Sequence, residues 1–468
     1  MEIIILSKEI VKPSKPTPPN LTKHKQSLFD QLACEICITP IFFYKNNNPL
    51  SEINNADITG SRLKNCLSET LTLFHPLAGE LSSEDSAFVD CNDKGVLYVE
   101  ARVKGVSLDE FLRNLDLSQL INFLPQNGSM GSKMNIYVQT LETLVSIQVT
   151  RFDCGGVAIG GVLFHKLLDG ATMNKFFNTW AKIARGDDDD GIEKIASTLD
   201  FTSSSRLFPP QTHLPQEFVE MKKEIFFYEG KSLVRRFVFN AKAIEDIKMK
   251  VSSESVPHPT RVEALTTFIW KHMILATRRA KGHSSRPFMV SHLVNLRSRI
   301  DPKLPNAFGN LVFVANSEVL QMSDDEVELP HLLGIVREMF ENMNSENLKA
   351  LEGDDAFDCI VDMITQVGSL MSQLDTYKFS SWCNFRLYDV DFGWGKPNFV
   401  APFIDTISSL NKQQIILVEN GKNDGIEAWI LRSNDEMVEL ENDEEFLAFS
   451  IYFQPISYIR NVRQTFCF

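Results

Sequence analysis

The 468-residue sequence lacks the features of several large protein classes. Its formal net charge is −14, which argues against nucleic-acid binding as a main task, because proteins that bind the phosphate backbone are basic on the binding face. No uncharged apolar run approaches the roughly 18 residues of a membrane span, and no signal-peptide pattern follows Met1. We therefore expect no nucleic-acid partner, no membrane attachment and a cytoplasmic monomer that acts on small molecules.

Cysteine is sparse and scattered. Among the eight cysteines, only Cys34 and Cys37 form a CxxC, and neither a second CxxC nor a histidine pair accompanies it. That spacing does not support a zinc or redox site, so no metal is expected. A chain of this length can bury a sufficient core without disulfides, and reduced thiols fit a cytosolic protein.

Several catalytic signatures are also missing. The sequence has no Gly-x-Ser-x-Gly, no Gly-x-Gly-x-x-Gly and no P-loop. Ser129 lies between two glycines, Gly128 and Gly131, but with the wrong spacing for a hydrolase nucleophile. A serine hydrolase, a dinucleotide-binding enzyme and a P-loop enzyme are therefore not indicated.

The elements that are present alternate between helical and strand periodicity, which predicts an α/β protein of two domains. We place an N-terminal domain at 1–185, a crossing linker at 186–230 and a C-terminal domain at 231–468. Residues 88–99 read as a hairpin around an Asn-Asp-Lys-Gly turn. The segment 449–468 is read as a strand followed by an irregular tail.

His165 stands on a short connection between an apolar strand at 157–164 and an amphipathic helix at 171–185. Two readings stay open from the spacing alone. His165 could be a core histidine, with Asp169 capping the next helix. Alternatively, His165 could be a general base, since imidazole titrates near neutrality and can take a proton from a hydroxyl or an amine. Gly160 and Gly161 would then let a ligand or another chain segment approach the strand.

A second motif changes the balance between these readings. His-x-x-x-Asp-Gly at 165–170, combined with Asp-Phe-Gly-Trp-Gly at 391–395, resembles the plant BAHD acyltransferases, and in particular their alkaloid- and terpenoid-acetylating branch. The resemblance covers nearly the whole chain, and it includes His75-Pro76-Leu77-Ala78-Gly79, Asp153-Cys154-Gly155-Gly156, Val294-Asn295-Leu296-Arg297 and Ser380-Ser381-Trp382-Cys383.

The resemblance implies two chloramphenicol-acetyltransferase-like α/β domains with a substrate tunnel between them. It implies that His165 is the general base and that Trp382 and Ser380 are candidates to stabilise the oxyanion. It also implies that Asp169 has a structural, orienting role. The remaining residues that it assigns are structural support from Arg297, Asp391, Gly393, Trp394 and Gly395, and tunnel-lining candidates Phe164, Leu168, Asn310 and Tyr44.

The implied reaction moves an acetyl or other short acyl group from acyl-CoA to a hydroxyl of a specialised metabolite, an alkaloid or a terpenoid. Acyl-CoA is a co-substrate, with acetyl-CoA our first choice, and no permanently bound cofactor is expected. Three alternatives stay open: N-acylation or use of an aromatic acyl donor, a non-catalytic binding protein on this fold, and a peptide-synthetase condensation domain.

Several positions depart from the family pattern, namely Glu80, Phe164, Asn384 and the pair Leu167-Leu168, which replaces smaller residues. None of them removes a residue that the implied mechanism requires. The shape of the acceptor pocket is expected to depend on loops at 40–50, 125–135 and 370–380, which a single sequence does not determine.

Overall fold

The fold is given by a computed structural model of the chain. It describes residues 1–46, 56–125, 142–187, 189–226, 232–282, 286–371, 373–404, 413–421 and 424–452. Ser129, most of the predicted loop 125–135 and the predicted tail beyond residue 452 lie outside these ranges. None of the helices within them is both long and apolar enough to cross a membrane.

The strands are β1 Glu2–Val11, β2 Lys23–Lys25, β3 Cys37–Ile38, β4 Pro40–Tyr44, β5 Glu80–Leu81, β6 Phe88–Asp90, β7 Val96–Lys104, β8 Val145–Phe152, β9 Val157–Phe164, β10 Ser232–Phe239, β11 Phe288–Asn295, β12 Val312–Asn316, β13 Asp375–Ser381, β14 Phe399–Pro402, β15 Gln414–Glu419, β16 Ile426–Ser433 and β17 Ile451–Tyr452. The α-helices are α1 Leu28–Leu32, α2 Ala56–Leu73, α3 Leu108–Arg113, α4 Gly170–Arg185, α5 Asp189–Thr198, α6 Ser203–Leu207, α7 Gln216–Phe226, α8 Ala241–Val251, α9 Arg261–Lys281, α10 Leu329–Glu341, α11 Ser345–Leu348, α12 Ala356–Met371, α13 Asn434–Glu441 and α14 Glu444–Phe449. The strand at 157–164 is confirmed, and the helix predicted at 171–185 begins one residue earlier.

Two large mixed sheets carry the fold. The first has the order β1-β7-β8-β9-β4-β14, with β3 also paired to β9, and the second has the order β12-β11-β13-β15-β16-β10-β17. Apolar residues of α2 and α4 pack on the first sheet, while those of α8, α9 and α10 pack on the second. Burying these apolar faces against the sheets is the main favourable term in folding.

The hairpin predicted at 88–99 is wrong. β6 pairs with β2 and β5 in a small third sheet, whereas β7 pairs with β1 and β8 in the first large sheet. Asp93 and Gly95 do take the positive φ values of a tight turn. The chain turns there, but its two sides go to different partners.

Two predicted loops are also corrected. Within 370–380, residues from Asp375 onward form β13, a central strand of the second sheet, and within 40–50, residues 40–44 form β4. β13 has two hydrogen-bonded neighbours, β11 and β15, and the register of those pairs fixes its side chains. Residues 375–380 therefore have positions fixed by the second sheet and do not form a loop.

A late segment of the chain returns to the first sheet. β14 pairs antiparallel with β4, with Phe399 opposite Phe43 and Pro402 opposite Pro40. Phe399 also stacks on Trp429 of the second sheet, so β14 connects both halves of the core. The domain boundaries at residues 185 and 231 stay a prediction, but part of the predicted C-terminal domain contributes a strand to the first sheet.

Candidate active site

A cavity of about 1000 Å³ lies between the two large sheets. β11, β12, β13, β15 and β16 form its floor, and residues 32–39 together with the turn after β9 lie on the opposite side. His165, Asn310, Ser380 and Trp382 all line it. The structure therefore brings these four sequence-predicted site residues together around one cavity.

The turn that carries His165 is held at both ends. The His165 amide donates to the Ile36 carbonyl at 2.9 Å where β9 ends. Asp169 is the N-cap of α4, and its Oδ1 accepts from the Thr172 amide at 2.9 Å. Such a cap stabilises a helix by about 0.5–2 kcal/mol. The two readings from the spacing are thus compatible, because Asp169 caps the helix while His165 faces the cavity.

Asn310 determines which ring nitrogen of His165 carries the proton. Its Nδ2 donates to the His165 carbonyl at 2.7 Å and to Oδ1 of Asp30 at 2.9 Å. Both partners are acceptors, so the amide cannot be turned the other way. Oδ1 of Asn310 therefore faces Nδ1 of His165, at 3.1 Å, and Nδ1 must donate to it. Nε2 is left with the free electron pair.

Asp30, in the first turn of α1, holds Asn310 in the orientation that contacts His165. Its Oδ1 accepts from the Asn310 backbone amide at 2.6 Å, and its Oδ2 accepts from the Ser27 hydroxyl at 2.7 Å. Burial raises the pKa of Asp30 to about 6, against the opposing effect of these donors. Sequence reasoning gave Asp30 no role, although Ser27 and Asp30 form the spacing of a capping box.

Burial also lowers the pKa of His165 below its usual value of 6.5, and the charge of Asp169 and the bond to Asn310 oppose this only in part. The imidazole is consequently neutral at physiological pH. A neutral ring with a free Nε2 can accept a proton, which is the state that a general base requires.

Asp169 and Arg297 form an ion pair beneath the cavity. Nη1 of Arg297 donates to Oδ2 of Asp169 at 2.6 Å, and both side chains are almost completely buried. Burial alone would raise the pKa of Asp169, but Arg297 and two backbone amides outweigh it and lower the pKa. Arg297 also donates to the carbonyls of Ala307 and Gly309, so it fixes the segment that leads to Asn310. This geometry supports the prediction that Asp169 has a structural, orienting role.

The loop that follows β13 packs directly on the His165 turn. Trp382 is held by its backbone amide, which donates to the Leu417 carbonyl at 2.8 Å. A side chain at Gly170 would collide with the ring of Phe385. Gly170 therefore lets residues 382–385 approach the His165 turn, which places Trp382 and Ser380 beside the same cavity as His165.

The two glycines inside β9 serve packing. A Cβ atom at Gly160 would meet the backbone of Phe123, and one at Gly161 would lie 2.8 Å from the Phe177 ring. Of the two options that the sequence allowed, the approach of other chain segments is the one observed.

The Asp-Phe-Gly-Trp-Gly segment forms a turn away from the cavity. Oδ1 of Asp391 accepts from the amides of Gly393 and Gly395 at 2.8 and 2.9 Å. Both glycines have φ values near +100°, which other residues rarely adopt. The Trp394 ring packs on Phe392 and Tyr44, and Phe392 packs on Trp180 of α4. The segment thus fastens a late part of the chain to the first sheet.

Replacing Asp391 with alanine should lower the free energy of unfolding by about 1–3 kcal/mol, because two backbone amides lose a charged acceptor. Turnover per folded molecule should stay close to that of the wild type. Urea denaturation checks the first expectation, and Lys396→Ala is the control, since its exposed pair with Asp389 contributes little. Lost turnover with unchanged stability would contradict a structural role.

Three of the predicted tunnel-lining residues do not line the cavity. Phe164 and Leu168 lie in the apolar core between the first sheet and α4. The Tyr44 hydroxyl donates to the Val390 carbonyl at 2.9 Å, and its ring is fully buried. Phe164 is the last residue of β9, and its neighbour His165 takes the cavity-facing position, so the departure at Phe164 changes the core next to the site.

The other two departures have plain structural roles. Glu80 pairs with Lys94 on the surface at 2.8 Å. Asn384 has a φ of 67°, a left-handed conformation that asparagine tolerates better than most residues. Asn384 also lines the cavity, whereas Glu80 does not.

The comparisons agree with this architecture. A family model described as the Transferase family matches residues 1–447. "Akuammiline synthase 2" of Alstonia scholaris is 39% identical over 96% of this chain and 97% of its own, and "Limonoid 7-O-acetyltransferase" of Citrus sinensis is 36% identical over 96% and 98%. The crystal structure of vinorine synthase superimposes with a TM-score of 0.79 at 31% identity, over 96% of this chain and 98% of that one.

The fold and the cavity are therefore those of an α/β acyltransferase with two chloramphenicol-acetyltransferase-like domains. The chain belongs to the Transferase family of plant BAHD proteins, and it is an acyl-CoA-dependent acyltransferase.

Proposed function

We propose that the protein transfers an acetyl group from acetyl-CoA to a hydroxyl of an alkaloid or terpenoid, with His165 as the general base. The observation that carries this proposal is the contact of Nδ1 of His165 with Asn310, which leaves Nε2 free beside the cavity. The named activities of two relatives support the acyl group and the acceptor class, since "Limonoid 7-O-acetyltransferase" and "Stemmadenine O-acetyltransferase" are both O-acetyltransferases by name.

In the proposed step, Nε2 of His165 takes the proton of the acceptor hydroxyl, and the oxygen attacks the thioester carbonyl carbon. The negative charge then moves to the former carbonyl oxygen, where Ser380 and Trp382 are the candidate donors. When the carbon–sulfur bond breaks, the protonated His165 returns its proton to the departing thiolate. Ester and free CoA result, without an acyl-enzyme.

The test is a screen of acetyl-CoA against limonoid and indole-alkaloid alcohols and their amine counterparts. We expect CoA and an O-acetyl ester to form only when the acceptor is present, and chromatography with mass spectrometry detects both products. CoA should be separated rather than detected with a thiol reagent, because exposed free thiols of the chain, such as that of Cys154, would react as well. Formation of amides alone, or no acceptor-dependent CoA at all, would contradict the proposal.

Asn310 offers a sharper test of the proposed base. Asn310→Ala removes the acceptor that fixes the proton on Nδ1, so the tautomer with the proton on Nε2 becomes accessible. Losing one hydrogen bond at a buried site costs about 1–3 kcal/mol, equivalent to about 5- to 150-fold in kcat. The KM for acetyl-CoA should change little. An unchanged kcat would show that the Asn310 contact does not hold His165 in its reactive form.

A further inference from the structure

The floor of the cavity has a clear pattern of side chains. On β11, residues Met289, Ser291 and Leu293 line the cavity, whereas Val290 belongs to the apolar core on the opposite face. At the end of the strand His292, Val294 and Asn295 line it as well. On β13, Thr376 and Lys378 line it while Tyr377 between them belongs to the core, and from Lys378 to Ser381 every residue lines it. The alternation in the first part of each strand is the period of two that any strand imposes.

One transverse row on this floor is polar across four neighbouring strands. The register places Asn316 of β12 opposite Ser291 of β11, Ser291 opposite Lys378 of β13, and Lys378 opposite Gln414 of β15. All four line the cavity. The Ser291 hydroxyl donates to Oδ1 of Asn316 at 2.7 Å.

The adjacent row is mostly apolar and adjoins the proposed reaction centre. It contains Leu293 and Ile416 on either side of Ser380, the candidate oxyanion donor. Two residues along a strand span about 7 Å. The polar row therefore lies about 7 Å from the Ser380 row, within the length of one polycyclic molecule.

Lys378 is the only lysine among the described residues that line the cavity. Ser291 and Gln414 flank it in the polar row, and the cavity lining also includes apolar residues such as Met289, Phe403 and Leu431. Burial lowers the pKa of Lys378 to about 8, with an opposing effect from Cys34 on the facing wall. An ammonium group carries three N–H donors, so an oxygen atom of a ligand in the cavity can accept a charge-assisted hydrogen bond in addition to the contacts that Lys378 makes within the protein.

We infer that Lys378 and the polar row around it form the subsite that recognises a second oxygen function of the acceptor, a carbonyl or a carboxylate remote from the hydroxyl that is acetylated. The inference rests on the proposed function and specifies its substrate class. The acceptor is then a rigid polycyclic alcohol whose hydroxyl meets His165 while its remote oxygen accepts a hydrogen bond from Nζ of Lys378. The apolar remainder of the floor holds the hydrocarbon frame between them.

The experiment uses the alcohol that the full-length wild-type protein acetylates best and a derivative of it in which the remote carbonyl is reduced to a methylene. We compare kcat/KM for both in the wild type, in Lys378→Met and in Lys378→Arg. The matched control is Lys242→Met, which removes an exposed lysine from α8. Ser291→Ala is a second variant of the row, and it removes no charge.

For the carbonyl-bearing alcohol, we expect Lys378→Met to lower kcat/KM by about 10- to 100-fold, as for the loss of a charge-assisted hydrogen bond. For the methylene derivative, wild type and Lys378→Met should differ by less than about threefold. Lys378→Arg should recover part of the preference for the carbonyl, Ser291→Ala should lower it less, and Lys242→Met should leave it unchanged.

Two results would overturn the inference while the proposed function stands. In one, Lys378→Met lowers kcat/KM equally for both alcohols. In the other, the best wild-type acceptor carries no remote carbonyl or carboxylate. If no alcohol forms an ester in the wild type, the proposed function itself fails, and this inference fails with it. Thermal denaturation of each variant separates a folding defect from a change in selectivity.

Discussion

Replacing His165 with alanine should lower kcat by about 10²- to 10⁴-fold under saturating acetyl-CoA and acceptor, because general-base catalysis contributes an effect of this size. The fold should persist, since the backbone amide of residue 165 still donates to Ile36 and Asp169 still caps α4. Chromatography of free CoA, together with circular dichroism, measures both quantities.

The matched control for this variant is His213→Ala, because His213 is an exposed residue between α6 and α7. It should retain wild-type turnover. Retention of most of the turnover in His165→Ala would contradict the role of His165 as base, and the search for a base would move to other groups that line the cavity.

The second large effect concerns stability. Arg297→Met should lower the free energy of unfolding by about 3–5 kcal/mol, because it leaves the buried Asp169 carboxylate without its counter-charge. It also removes the donor to the Ala307 and Gly309 carbonyls. Urea denaturation measures the change. Turnover should fall together with the folded fraction, since the Asn310 segment loses its support.

A surface ion pair provides the control for Arg297. Arg102 pairs with Asp153 at 2.7 Å where both side chains are about half exposed, so Arg102→Met should cost less than about 1 kcal/mol. If Arg297→Met were as stable as Arg102→Met but inactive, Asp169 and Arg297 would act in the reaction rather than in the fold.

Local sequence patterns predicted much of the architecture. β9, the turn at His165 and α4 were predictable because a short continuous apolar run gives way to apolar residues at helical spacing within a few residues. Asp169 as a cap followed from its position before α4. The roles of Trp382 and the Asp391 turn came from the family resemblance, because two glycines around a tryptophan indicate only a packed turn.

Contacts between residues far apart in the sequence could not be predicted from local sequence patterns. Asp30 and Asn310 are 280 residues apart, and nothing in either local sequence indicates their contact. The polar row around Lys378 could not be predicted either, because β13 was read as a loop. Recognising the row requires the register of four neighbouring strands. The hairpin at 88–99 failed for a related reason, since a turn signal does not say which sheet each strand joins.

The pH dependence of kcat/KM tests the proposed base most directly. Because burial lowers the pKa of His165, the wild type should be fully active at pH 7 and should lose activity as the pH falls through a midpoint below 6.5. Asp30, with a pKa of about 6, titrates nearby, so the same profile is measured for Asp30→Asn, in which that carboxyl cannot ionise. We expect a midpoint below 6.5 in both proteins. A midpoint above 7 in the wild type, or its disappearance in Asp30→Asn, would contradict His165 as the group whose neutral form drives the reaction.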